Sequence, residues 1–304
     1  MRRGRIASYL ATLVLTLAAC TGGSPGGSSQ SPSAGPSGTP GTPAPSGGTA
    51  SLVFRAAYEG GFIAPNSRRA QLPLVSVFAD GRIMTGGMTP AIYPGALVPS
   101  VVFRSVGADG AAAILKAAKD AGLAGSDATY PSAPIPDAPT TVITVVHDGS
   151  RTVSRFDALD AGPAQPSAGS GPADRIRVAT AALLAGLMGT DSFGGTSAGT
   201  GTYQPLGFQL FATPGSPAEP APSDTSLARP PVAWPLATPL ATFGQVDSLG
   251  GDGARVGAVV GADSATLTPI LNGATQITPF TSGGKQWTLV VRPLLPDEVA
   301  ALGG

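Results

Sequence analysis

Thr141-Val-Ile-Thr-Val-Val146 is followed by His147, then Asp148-Gly149, then Arg151-Thr-Val-Ser-Arg-Phe156. Two runs of β-branched and aromatic residues flank an Asp-Gly pair. That pair favours the left-handed backbone of a tight turn, so the stretch reads as a β-hairpin. A hairpin alone does not bury enough apolar surface to persist in water and needs more strands or a covering helix. Pro172 to Met188 supplies a helix. Pro172 suits a first turn, and Ile176, Ala179, Leu183, Leu184 and Leu187 share a face.

The same grammar stands upstream. Leu72 to Phe78 is rich in strand formers, Asp80-Gly81 marks a turn, and Arg82 to Thr85 returns. Val101 to Arg104 is a further strand. Asp109 is placed to cap a helix over Ala111 to Ala121, with Gly122 at the position of a C-terminal cap. The chain thus reads as two hairpin-then-helix units, 71–122 and 141–189. These are either a duplication or two hairpins that look alike. Ser51 to Tyr58 reads as a strand ahead of them, broken by Gly60-Gly61.

Beyond Gly189 the reading thins. Leu206 to Phe211 and Val256 to Val260 are strands, Ser264 to Leu271 a short helix with Gly273 beyond it, and Gln286 to Val291 a strand. Trp234 reads as a core anchor in a polar stretch. Residues 250–298 either complete the sheet or form a small C-terminal subdomain. The fold class expected is α+β: an antiparallel sheet of Asp-Gly hairpins, two or three packed helices and long Pro/Gly-rich loops. A single domain over 51–298 is the organisation expected. Forty-three glycines and thirty-one prolines in 304 residues require that much loop.

The first fifty residues are not part of that domain. Arg2, Arg3 and Arg5 precede an apolar run from Tyr9 to Ala19, and Leu17-Ala18-Ala19-Cys20 closes it. A basic start, a short apolar core and small residues make a secretory signal over 1–19. The run is about half the length needed to cross a bilayer. Residues 21–50 are Gly, Ser, Pro, Thr and Ala with a single Gln30. Nothing there repays the entropy of ordering, so 20–50 reads as a tether. Such a chain has a root-mean-square span of about 30 Å and an extended limit near 100 Å.

Leu17-Ala18-Ala19-Cys20 resembles the lipobox of bacterial lipoproteins. The resemblance implies diacylglycerol transfer to the Cys20 thiol, cleavage before it, and a membrane anchor at the extracytoplasmic face. Stable attachment takes two or more acyl chains, such as palmitate. Cys20 is the only cysteine, so it has no disulfide partner within the chain. The stretch from Trp287 to Arg292-Pro-Leu-Leu-Pro-Asp-Glu298 is similar to secreted proteins and lipoproteins of high-GC Gram-positive bacteria, a similarity that implies no activity.

Charge gives no support to a nucleic-acid partner. Fifteen basic against eighteen acidic side chains remain after the signal leaves, about −3. Catalytic patterns are weak. Gly195-Thr-Ser197-Ala-Gly199 matches the nucleophile-elbow spacing, which needs a strand before the serine and a helix after it. Here a helix is expected before it and none after. The only histidine, His147, would be its base, making a cell-envelope hydrolase the alternative reading. His147 otherwise reads as a polar residue at a hairpin tip. One histidine and no free cysteine do not make a zinc site. Gly251, Gly253 and Gly257 precede a strand, the wrong order for a phosphate loop. No cofactor is expected. The material for recognition is Tyr58, Tyr93, Tyr130, Tyr203 and the Pro-rich loops, with an envelope protein or a glycan as the partner class.

Overall fold

The computed structural model describes residues 51–131, 135–159, 171–195, 199–215 and 229–303. The signal 1–19, Cys20, the tether 20–50 and Ser197 lie outside them. Fourteen strands form two sheets among the described residues, and five α-helices pack on them. The fold is α+β.

The first sheet is built from β1 (Leu52–Glu59), β2 (Val75–Phe78), β3 (Arg82–Gly86), β4 (Val101–Ser105), β5 (Ala128–Tyr130), β6 (Thr140–His147), β7 (Ser150–Asp157) and β8 (Thr200–Thr202). Its order is β5-β7-β6-β1-β2-β3-β4-β8. The first strand is therefore innermost, paired antiparallel with both β2 and β6. The first helix, α1 (Pro65–Arg69), follows β1; α2 (Gly107–Asp120) and α3 (Pro172–Met188) come after β4 and β7. The expected units at 71–122 and 141–189 thus flank β1 from opposite sides. Their helices share one core with it: Phe54, Val77, Ile83, Ile143, Val145 and Phe156 against Ile114, Ala118, Leu183 and Leu187.

The second sheet begins at residue 207, well before 250. It comprises β9 (Gly207–Pro214), β10 (Val232–Ala233), β11 (Gln245–Val246), β12 (Arg255–Val260), β13 (Phe280–Ser282) and β14 (Lys285–Pro293), with α4 (Gly261–Gly273) and α5 (Pro296–Ala301). Its order is β10-β13-β14-β9-β12-β11. Here too the first strand is central, flanked antiparallel by β12 and β14. Phe208, Leu210, Phe280 and Val291 pack on Leu267 and Leu271 of α4. Trp234 joins this core as expected.

The expectation of one antiparallel sheet is corrected. There are two sheets, and each carries a parallel pair, β5 with β7 and β10 with β13. Which strands pair depends on contacts across long sequence separations, which local patterns do not encode. Helix α2 also differs. It starts at Gly107 behind Val106, with no side-chain cap, and Asp109 lies within its first turn, where a carboxylate suits the positive end of the helix.

The two halves exchange segments. The β3–β4 loop, 87–100, crosses to the second half: Leu97 donates its N–H to the Ala274 carbonyl, 3.0 Å, and enters the second core. In return Leu295 packs on Phe78, Met84, Val101 and Tyr203 of the first. Arg55 reaches Asp297 and Arg69 reaches Asp247, each at 2.7 Å. Arg69 also lies over the Phe211 ring, 5.6 Å from its centre.

Candidate functional site

The described residues lend the hydrolase alternative no support. Ser197 itself is outside the described residues, but its flanks are placed. Gly195 lies against the backbone of Val106 and Gly110, where a Cβ would meet the Val106 carbonyl. Gly199 accepts from the Ser105 N–H at 2.9 Å and leads into β8. The motif therefore joins a helix to a strand, the reverse of an elbow. His147 ends β6, and β6 and β8 are five strand spacings apart in the sheet. At roughly 4.8 Å per spacing those two strands lie about 24 Å apart.

His147 is engaged elsewhere. Nε2 stands 3.2 Å from the Ala124 carbonyl and Nδ1 3.3 Å from an Asp148 carboxylate oxygen. The ring braces the segment between α2 and β5 against the hairpin tip. Among the described residues no cluster of three His, Cys, Asp or Glu side chains could hold a metal. Gly251 and Gly253 take positive φ in the β11–β12 turn, and Gly257 passes under the Phe243 ring. Turn and packing account for these glycines.

The tyrosines divide. Tyr130 stacks on Phe156 with ring centres 4.5 Å apart. Tyr203 is buried, and its hydroxyl donates to the Leu294 carbonyl at 3.1 Å. Burial pushes that hydroxyl up to about 12. Tyr58 is half-buried on β1. Tyr93 alone of the four stands well out, on the loop that crosses between the halves. Leu72, Pro73, Met84, Thr85, Val101 and Leu295 line a shallow apolar recess.

The residues that stand out most were not singled out by the sequence reading. Phe62 is 90% exposed, Met88 94% and Leu249 88%. A signal for them exists in the sequence. Gly60-Gly61 precedes Phe62, Gly86-Gly87 precedes Met88, and Gly250-Gly251 follows Leu249. A lone large apolar residue beside a glycine pair has no neighbour with which to form a packed stripe.

The segments that carry Phe62 and Leu249 are both tied to α1. The Arg68 guanidinium donates to the Gly61 carbonyl at 3.1 Å. Arg69 binds Asp247, whose other oxygen accepts the Leu249 N–H at 3.0 Å. Leu72, just past α1, lies against Gly86. Phe62 and Met88 leave the same end of the first sheet, the end at which β1 finishes. No family model, no curated protein and no solved structure matches the chain.

Proposed function

We propose that the chain is a lipid-anchored accessory or binding protein of the extracytoplasmic face of the cell membrane, attached through Cys20. The observation that carries this reading is the order basic start, apolar run, Leu17-Ala18-Ala19-Cys20 and uncharged spacer, ending where β1 begins. No helix among the described residues is long and apolar enough to cross a membrane. The partner, an envelope protein or a glycan, meets the loops of the scaffold, where Tyr93 and Ile92 are exposed.

Cys20→Ala removes the thiol that accepts the lipid. The expected result is release of the protein from the membrane fraction and loss of label from a clickable fatty acid. A variant that remains membrane-bound and labelled overturns the reading. For the partner, the mature chain is immobilised and offered cell-wall glycan; retention that falls with Tyr93→Ala supports the loop reading.

A further inference from the structure

We propose that Phe62, Met88 and Leu249 form a set of apolar tips that dip into the bilayer interface and hold the domain down on the membrane. The proposal rests on the lipid-anchor reading above.

The shape of the surface selects the partner. Protein interfaces draw on a contiguous packed patch with a desolvated centre. Here the apolar side chains stand singly beside glycine pairs, each close to 90% exposed. Isolated exposed apolar side chains can enter the headgroup region of a fluid surface without a complementary shape. Val246, 67% exposed, adds a fourth apolar side chain beside Leu249. Arg68, exposed and bonded to the Gly61 carbonyl next to Phe62, puts a cation at the depth of lipid phosphates.

The reach of the anchor fits. Phe62 and Met88 lie at the far end of β1 from the point where the chain enters the domain. Seating them on the bilayer lifts the start of β1 by about the length of that eight-residue strand, roughly 26 Å. Residues 20–50, from their composition, have a root-mean-square reach of about 30 Å. Effective concentration is highest when the reach of a linker matches the span it must cover. A contact too weak to bind a free protein then becomes populated, as with other two-signal anchors.

Cys20 is the only thiol in the chain, which allows a test independent of cellular processing. The mature chain is coupled through Cys20 to a maleimide lipid in vesicles of phosphatidylglycerol and phosphatidylcholine with brominated acyl chains. Trp234 and Trp287 are 9% and 2% exposed, so the native background is shielded. Phe62→Trp and Leu249→Trp should be quenched, while Ser150→Trp, at the opposite end of the sheet, should not. In the coupled chain carrying Leu249→Trp, Phe62→Ser should lower the seated-to-lifted ratio read from quenching at position 249 by roughly tenfold or more, the ratio expected for one large apolar side chain.

Equal quenching at position 150, or none at 62 and 249, overturns the proposal. So does a solution dimer that Phe62→Ser dissociates, because the tips would then belong to a second copy. Either outcome leaves the Cys20 reading to its own labelling experiment.

Discussion

At the scale of single residues, arginine does work that regular secondary structure leaves undone. Arg104 donates to the carbonyls of Asp191 at 2.7 Å, Leu187 at 3.2 Å and Gly186 at 3.3 Å, closing the end of α3. Burial pulls its guanidinium below the usual arginine range, opposed by Asp191. Arg177 likewise holds the Tyr130 and Asp157 carbonyls, and Arg255 those of Phe243 and Gly244. A chain this rich in loops has many carbonyls without a ladder partner, and the planar guanidinium serves several at once. Arg104→Ala should cost about 2–3 kcal/mol in urea unfolding, and Arg104→Lys should recover only part of it. Tyr203 gives a pH prediction. Its folded value, about 12, exceeds the ordinary value of 10.0. The protonated form is thus favoured by folding, and the contribution is complete below pH 10 and lost between about pH 10 and pH 12. Tyr203→Phe should lose stability less steeply across that window, by up to about 1.4 kcal/mol per pH unit.

At the scale of elements, two identical dipeptides make different turns. Asp148 and Gly149 both take positive φ, 48° and 73°, and His147 pairs directly with Ser150. That is a two-residue turn with both central residues left-handed. Between β2 and β3 three residues intervene: Gly81 alone is left-handed, at 88°, and its N–H returns to the Phe78 carbonyl at 2.9 Å. A Cβ on Gly81 would overlap the Gly107 backbone, whereas Gly149 has open space around it. Gly149→Ala should therefore cost about 1 kcal/mol and Gly81→Ala clearly more, both measured by thermal unfolding.

The local sequence marks some elements sharply. Helix α3 spans the residues expected because Pro172 fixes its first turn and the Asp174 carboxylate accepts the Gly171 N–H at 3.3 Å. Strands β5 and β8 went unread because each has three residues at a sheet edge, among Gly, Ser, Asp and Thr. The division among tyrosines was hidden for another reason. Tyr203 is claimed by Leu294, 91 residues away, and nothing near it in the sequence says so. The tips at Phe62, Met88 and Leu249 were legible in principle through their glycine pairs.

At the scale of the whole molecule, the exchange of Leu97 and Leu295 between the halves binds two cores into one energetic unit. Loss of the second half would strip Leu295 from Phe78, Met84 and Val101, leaving an apolar face bare. The folded chain should therefore unfold in a single calorimetric transition, with equal calorimetric and van't Hoff enthalpies. A chain ending at Gly215 should lack a cooperative transition. Two resolved transitions in the full chain would show that the exchanged segments do not couple the halves.

The inner position of β1 has a consequence for biogenesis. A strand that leads the chain yet lies in the middle of its sheet cannot be finished locally. It waits first for β2 and then for β6, which arrives only when His147 has followed. On the proposed reading, in which the chain is exported N-terminus first, it offers the export channel no prematurely closed sheet. It also carries an unpaired strand edge until residue 147 of 304 has followed, which on that reading makes the interval before β6 emerges the time when a holding chaperone matters most.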